Sequence, residues 1–407
     1  MTLAAKGGRP VRTEPFPKRT PFGEEELKLV TQALQSQNLF SVRGTMVKGL
    51  EEEFAAAYGM KKAIASSSGT ASLHIAIGAL DLEPGDEVIL GPITDAGSLI
   101  GILYQNAIPI FADIDPQTFN LDPADVQRKI TERTRAIMAI YLFGNASGAL
   151  EVAEVAKKGG IPLVEDASQA HMTRCRGRLL GTLGEIGCFS LQQSKHMTSG
   201  DGGVSITNNE ALAQRMALFR DKGWDRTTTG TGPRDYLFLA PNYRMTELQG
   251  AVALAQLKKV RSVVERRFHL GRYLSDLISE IPGVRTQKVE EGSEHSYWSF
   301  ALISEKIPVA DFAQALKAEG IPAGTGYIGE PIYIRHRALK EKKTYGTSGC
   351  PFTCKFASRK YEYRKGDCPN AERVLSQMVT LSINENYGDK DIEDMAAGVN
   401  KVARALS

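Results

Sequence analysis

Six short apolar runs, at 87–91, 108–114, 136–144, 161–166, 187–191 and 203–207, constrain this chain more than any other feature. Each has the length and near-continuous hydrophobicity of a strand buried on both faces, and helical stretches fall between them. Asp122-Pro123 starts one helix, an N-cap followed by proline in the first turn, and 150–158 forms another. Strands and helices in alternation give an α/β fold, a mainly parallel sheet between helices. Thr246 and Gln249 make a capping-box pair at the head of a long helix expected to run to about 266. With 407 residues the chain exceeds one simple core, so a second domain is expected, its boundary within or just after that helix. The last third differs in texture, with a Gly/Pro-rich stretch at 320–331 and a basic, aromatic segment at 335–364.

Three positions on this frame carry chemistry. The run ending in Phe189-Ser190 leads within five residues to Lys195, followed by Gly200-Asp201-Gly202-Gly203. A lysine amine attacks carbonyls only when neutral, so a site that desolvates it prepares it for covalent work with an aldehyde cofactor; the ordinary alternative is a solvated surface lysine. Asp166, with Glu165 beside it, closes the run at 161–166. At the carboxyl end of a buried strand, a carboxylate can hold a pyridine nitrogen protonated, and such a ring accepts electrons from a carbanion. An N-cap or turn role is the alternative for Asp166, and a structural role suits Glu165. Ser66-Ser67-Ser68-Gly69-Thr70 precedes Leu73, Ile77 and Leu80, spaced as on an amphipathic helix. Free N–H groups and hydroxyls at such a helix start favour a phosphate, and Ser190 supplies a further hydroxyl.

Composition excludes some partners. The net charge of +3, with basic and acidic residues intermixed, gives no field for nucleic acid. No run resembles a signal peptide or is long and apolar enough to span a bilayer, so a cytoplasmic protein without a membrane partner is expected. Five scattered cysteines suggest free thiols. Cys350, Cys354 and Cys368, with His336 nearby, have no paired-knuckle spacing, and no metal is expected.

Together and in this order these motifs resemble those of the DegT/DnrJ/EryC1/StrS aminotransferases, sugar aminotransferases of pyridoxal-phosphate fold type I. The likeness rests on Ser68-Gly69-Thr70, Glu165-Asp166 with Gln169, Phe189-Ser190 with Lys195, Gly200-Asp201-Gly202-Gly203 and Asn242-Tyr243-Arg244-Met245-Thr246-Glu247, and extends from about Pro21 to near the C-terminus. It implies an N-terminal arm (1–22), a large cofactor domain (23–260) with a mixed, mainly parallel seven-stranded sheet, and a smaller α+β domain (261–407). It implies pyridoxal 5'-phosphate as cofactor, passing through pyridoxamine 5'-phosphate in the half-reaction, and transfer of an amino group from glutamate or glutamine to a ketone on a sugar, keto-octulosonate or cyclitol. Lys195 and Asp166 would be the catalytic pair, Asp166 on the pyridinium. Gln169 would meet the ring's phenolic oxygen, and Gly69, Thr70 and Ser190 the phosphate. Asn242 would reach a partner subunit's phosphate in a homodimer with shared sites; by its residues alone it reads as a turn beside Pro241.

One departure stands out: the family usually stacks an aromatic residue on the cofactor ring where this chain has Asp95. Asp95 either contacts cofactor or substrate there or caps the helix that follows at 96–103. His171 and His196 flank the site and read as structural histidines. Tyr327, Tyr333, Arg335 and His336 are candidate substrate contacts. A pyridoxamine-dependent sugar dehydratase and a non-catalytic regulatory member are the rival readings. Related dehydratases carry histidine at the lysine position, which Lys195 speaks against, and neither the lysine, the aspartate nor the phosphate turn is lost.

Overall fold

In the computed structural model, which describes residues 2–226 and 233–406, the apolar runs assemble into one seven-stranded sheet. Its strands are β1 (Lys62–Ser66), β2 (Glu87–Leu90), β3 (Ile108–Phe111), β4 (Thr134–Ile140), β5 (Leu163–Asp166), β8 (Ile186–Ser190) and β9 (Gly203–Thr207), while β6 (Arg174–Cys175) and β7 (Arg178–Leu179) form a separate hairpin. The order is β1-β9-β8-β5-β4-β2-β3; β9 alone runs against its neighbours. Every residue of β2, β3, β5, β8 and β9 is buried, which is why these strands read as unbroken apolar runs. A four-stranded antiparallel sheet, β10 (Val284–Thr286), β11 (Phe300–Ser304), β12 (Ala323–Thr325) and β13 (Met378–Leu381), packs with helices Val309–Ala318 and Asp389–Leu406 around its own core.

The structure corrects several expectations. β1 adds an edge strand ahead of the serine-rich turn. The run at 136–144 ends as a strand at Ile140, and Leu142–Gly144 turns into a short 3-10 helix with Phe143 at φ +59°. Helix Gly69–Ala79 is not amphipathic: all its residues but Thr70 are buried, because it lies between the sheet and helices Gly97–Tyr104 and Glu210–Arg220. The capping box is present, with Thr246 Oγ1 accepting from Gln249 N, but the helix stops at Leu257 and a second one begins at Val260. Residues 258–259 interrupt the helix with neither glycine nor proline. No described helix is long and apolar enough to cross a membrane.

Candidate active site

The carboxyl ends of β5 and β8 bring Asp166 and Ser190 to the mouth of the sheet, and Lys195 follows on the loop after β8. Lys195 is 9% exposed, and burial pushes its amine down to about 8, although the carboxylates of Asp166 and Asp95 pull the other way. Its Nζ lies 3.9 Å from the centre of the Trp298 ring. Asp166, 6% exposed, accepts a 2.6 Å hydrogen bond from Ser98 Oγ on Oδ2 and one of 3.2 Å from Ser168 N on Oδ1. Ser98 in turn pairs with Thr94 Oγ1 at 2.7 Å, so the carboxylate is held as an acceptor facing the cavity.

At the other end of the cavity, Ser68 caps helix Gly69–Ala79 by accepting from Ala71 N at 3.0 Å. That leaves the N–H groups of Gly69 and Thr70 without intrahelical acceptors. Gly69 is required by packing: a Cβ there would stand 2.6 Å from Ser190 Cβ and 2.8 Å from its Oγ. Gly203, at the start of β9, backs the same turn, since its Cβ would come within 2.3 Å of Ser68 O. These two close approaches explain why Gly69 and Gly203 are glycine. Gly69→Ala should therefore splay the cradle and raise the dissociation constant of a phosphate-bearing ligand there at least about tenfold, at a stability cost of about 1–3 kcal/mol; ligand titration and thermal unfolding of the variant measure the two.

These groups share a cavity of about 380 Å³, which Gln169, Asp95, Asp201 and Tyr327 also line. Gln169 accepts from Phe143 N at 2.7 Å and donates to Tyr327 OH at 3.2 Å. Asp95 accepts from Gly97 N at 2.9 Å at the head of the next helix, the capping role, and also lines the cavity. Aromatic cover comes from elsewhere: Trp298 stacks on Phe143 at 6.2 Å, and Tyr327 meets both edge-on. Phe143 and Tyr327 hold left-handed backbones (φ +59° and +47°), strain placed beside the reactive groups.

An open groove of about 920 Å³ along helix Ala149–Gly159 is larger, but its lysines, Lys157 and Lys158, are exposed and solvated. The smaller cavity holds the buried amine. An anion cradle, a buried carboxylate and a desolvated amine suit one molecule carrying a phosphate, a basic ring nitrogen and a carbonyl, and pyridoxal phosphate has all three.

Other expected residues lie elsewhere. Glu165 is buried under Tyr141 OH and the N–H groups of Gly181, Leu183 and Gly184, a structural role. His171 and His196 give their Nε2 to Ser190 O and Ser296 O, each at 2.9 Å, and burial keeps both neutral. Of the C-terminal candidates only Tyr327 reaches the cavity. Tyr333 OH bonds Glu372 at 2.8 Å, Arg335 lies against Gly329, and His336 Nδ1 accepts from Ala338 N. Asn242 is exposed, its Oδ1 3.4 Å from Arg244 N, outside this chain's cavity. Ser98, Phe143 and Trp298 escaped the sequence reading. Ser98 lies three residues after Asp95 and Phe143 within the apolar run at 136–144, and neither spacing signals a place at the site. All five cysteines are free thiols, and no three described His, Cys, Asp or Glu side chains gather as a metal site.

A sequence model of the DegT/DnrJ/EryC1/StrS aminotransferase family matches residues 21–362. The chain is 31% identical over 430 aligned residues to an L-glutamine:2-deoxy-scyllo-inosose aminotransferase of Streptoalloteichus tenebrarius, covering 99% of this chain and 97% of that one. To GDP-perosamine synthase of Caulobacter vibrioides it is 36% identical over 262 residues, 64% of this chain and 69% of the other. The crystal structure of an aminotransferase from Psychrobacter cryohalolentis superposes with a TM-score of 0.84 at 25% identity, covering 96% of this chain and all of that one.

Proposed function

The chain belongs to the DegT/DnrJ/EryC1/StrS aminotransferase family, and on that premise we propose that it is a pyridoxal-phosphate-dependent enzyme moving an amino group from glutamine or glutamate to the keto group of a sugar, keto-octulosonate or cyclitol. The observation that carries this reading is the meeting of Lys195, Asp166 and the Ser68-Gly69-Thr70 turn in one cavity. When bound, pyridoxal phosphate supplies an aldehyde that condenses with amines and a ring that takes up electrons from the carbon being deprotonated. Gly69, Thr70 and Ser190 anchor its phosphate through N–H and hydroxyl groups. Asp166, fixed by Ser98, would hold the proton on the ring nitrogen, and Gln169, whose amide already donates to Tyr327 OH, would hydrogen-bond the phenolic oxygen. Lys195 Nζ, about one-tenth neutral at pH 7 with its pKa near 8, is the nucleophile. It then takes the proton from the donor's α carbon and returns it on the far side of the transferred nitrogen. Trp298, Tyr327 and Phe143 keep water from the amine.

The same reading includes a homodimer with shared sites, in which Asn242 reaches the partner's phosphate. Supporting it, Asn242 is exposed and does not line its own cavity, and apolar side chains near it in sequence stand uncovered, Leu237 at 51% and Leu239 at 98% exposed. It places the arm at 1–22, the cofactor domain at 23–260 and the small domain at 261–407, in a cytoplasmic protein. Against the dehydratase alternative stands the buried amine of Lys195.

The decisive experiment is the absorbance of the purified protein with pyridoxal phosphate, before and after glutamine and then glutamate. A yellow band that bleaches with one donor identifies it, and a screen of ring and sugar ketones for recovery of the band then finds the acceptor. A protein that takes up the cofactor yet leaves the band unchanged with both donors would overturn the reading.

A further inference from the structure

The loop that carries Lys195 is held largely from outside its own sheet. Arg19, in the N-terminal arm, donates from Nη1 to Gln193 O at 3.0 Å and from Nη2 to His196 O at 2.9 Å, the carbonyls on either side of Lys195. Its Nε pairs with Glu385 at 2.7 Å, and Arg267, 2% exposed, holds the other oxygen of the same carboxylate at 2.8 Å. A third carbonyl, Ser194 O, accepts from Trp298 Nε1 at 3.0 Å, and the His196 ring bonds Ser296 O. Both of these partners precede β11.

The arm is itself strapped to the second core. Glu319 accepts from Ala4 N and Val11 N at 2.8 and 3.0 Å, Arg12 pairs with Asp391 at 2.7 Å, and Asn386 donates to Lys18 O at 2.9 Å. Arg19 therefore stands where the arm, the small sheet and the catalytic loop meet. A planar guanidinium serves two carbonyls and a carboxylate at once; an ammonium cannot reach all three.

We propose that Arg19 is a positioning residue: by fixing the carbonyls on both sides of Lys195 while paired with Glu385, it sets where the amine stands. The inference rests on the role given to Lys195 above. Misplacing a reacting group by about 1 Å costs roughly 100-fold in rate, and the loss acts on the chemical step.

The test uses the full-length protein as Arg19→Ala, Arg19→Lys and, as a control that loosens the arm without touching the loop, Arg12→Ala. Both Arg19 variants should slow donor-driven bleaching of the cofactor band about 10–100-fold at saturating donor, with little change in the half-saturating concentration. They should also shift the pH at which the band's colour changes. Millimolar guanidinium should restore part of the rate to Arg19→Ala, and Arg12→Ala should keep the wild-type rate and colour change. If Arg19→Ala does not fold, Arg19→Lys decides through the same two readouts. Wild-type rate and colour change in an Arg19 variant, or equal losses in Arg12→Ala, would overturn the proposal while leaving the aminotransferase reading intact. A wild type without a band would defeat that reading instead.

Discussion

Lys195→Ala is expected to lower turnover by more than about 10⁴-fold, because the proposed mechanism makes one amine both nucleophile and proton carrier. Mass spectrometry after borohydride treatment with pyridoxal phosphate should find added mass on the Lys195 peptide of the wild type and none on the variant. The fold should not suffer. A buried amine whose pKa is lowered to about 8 binds fewer protons in the native than in the unfolded chain, so at pH 7 it costs about 3 kcal/mol, a cost relieved only as pH rises from about 8 toward 10.5. Lys195→Met, which fills the same space without charge, should therefore unfold at a higher temperature than the wild type when both lack cofactor. Full turnover in the alanine variant would sink the mechanism; a methionine variant less stable than wild type would show that the amine contributes to folding rather than opposing it.

The residues that were legible before the structure share one property: their meaning lies within a few positions of sequence. β2, β5, β8 and β9 announced themselves because both faces are buried, whereas β1, Lys-Ala-Ile-Ala-Ser, begins with a charge and is built of small residues. Gly69, Asp166 and Lys195 were readable because a turn, a strand end and a loop each carry their chemistry locally. Helix Gly69–Ala79 misled because its apolar spacing fits an amphipathic helix, but Ile75 lies off that stripe and the other positions are Gly, Thr, Ala, Ser and His, so every face except that of Thr70 is buried. Sequence could not show that Phe143, Trp298 and Tyr327, spread over nearly two hundred positions, build one aromatic wall, nor that Arg19 meets the loop at 193–196. Each depends on how the second core docks. Asp95 lies between these cases: its capping role is local and was expected, but its place on the cavity wall follows from the sheet order, which sets the loop after β2 at the same end of the sheet as those after β5 and β8.

Acid should unfold this protein between about pH 6 and 4, well before its carboxylates are all protonated. Four of its six histidines, His74, His171, His196 and His295, are at most 5% exposed. Burial lowers His74 and His171 to about 4, His295 to about 3 and His196 well below its usual value, where Arg267 and His171 add to the effect. The hydrogen bonds agree. His74 Nε2 faces the Gln105 amide at 2.9 Å while its Nδ1 meets Tyr243 OH, and His295 Nδ1 accepts from Tyr297 N at 2.9 Å while its Nε2 donates to Gln287. A second proton on either ring would confront a donor. Because the folded-state values lie below the unfolded value of about 6.5, the unfolded chain binds more protons across this window. Stability is therefore full above about pH 6.5 and falls as pH drops toward 4. His74, His171 and His295 each contribute a loss of about 2–3 kcal/mol near pH 4.5, and with His196 acting in the same direction the total approaches the whole folding free energy of an ordinary domain. Denaturant unfolding at half-unit steps of pH should show a slope corresponding to uptake of nearly four protons between pH 6 and 4.5, and His295→Gln, which keeps the bond-accepting geometry without the titration, should reduce it by one. A stability that stayed level from pH 6.5 to 4.5 would mean that these rings take up protons in the folded state, and that their buried hydrogen bonds can rearrange to accept them.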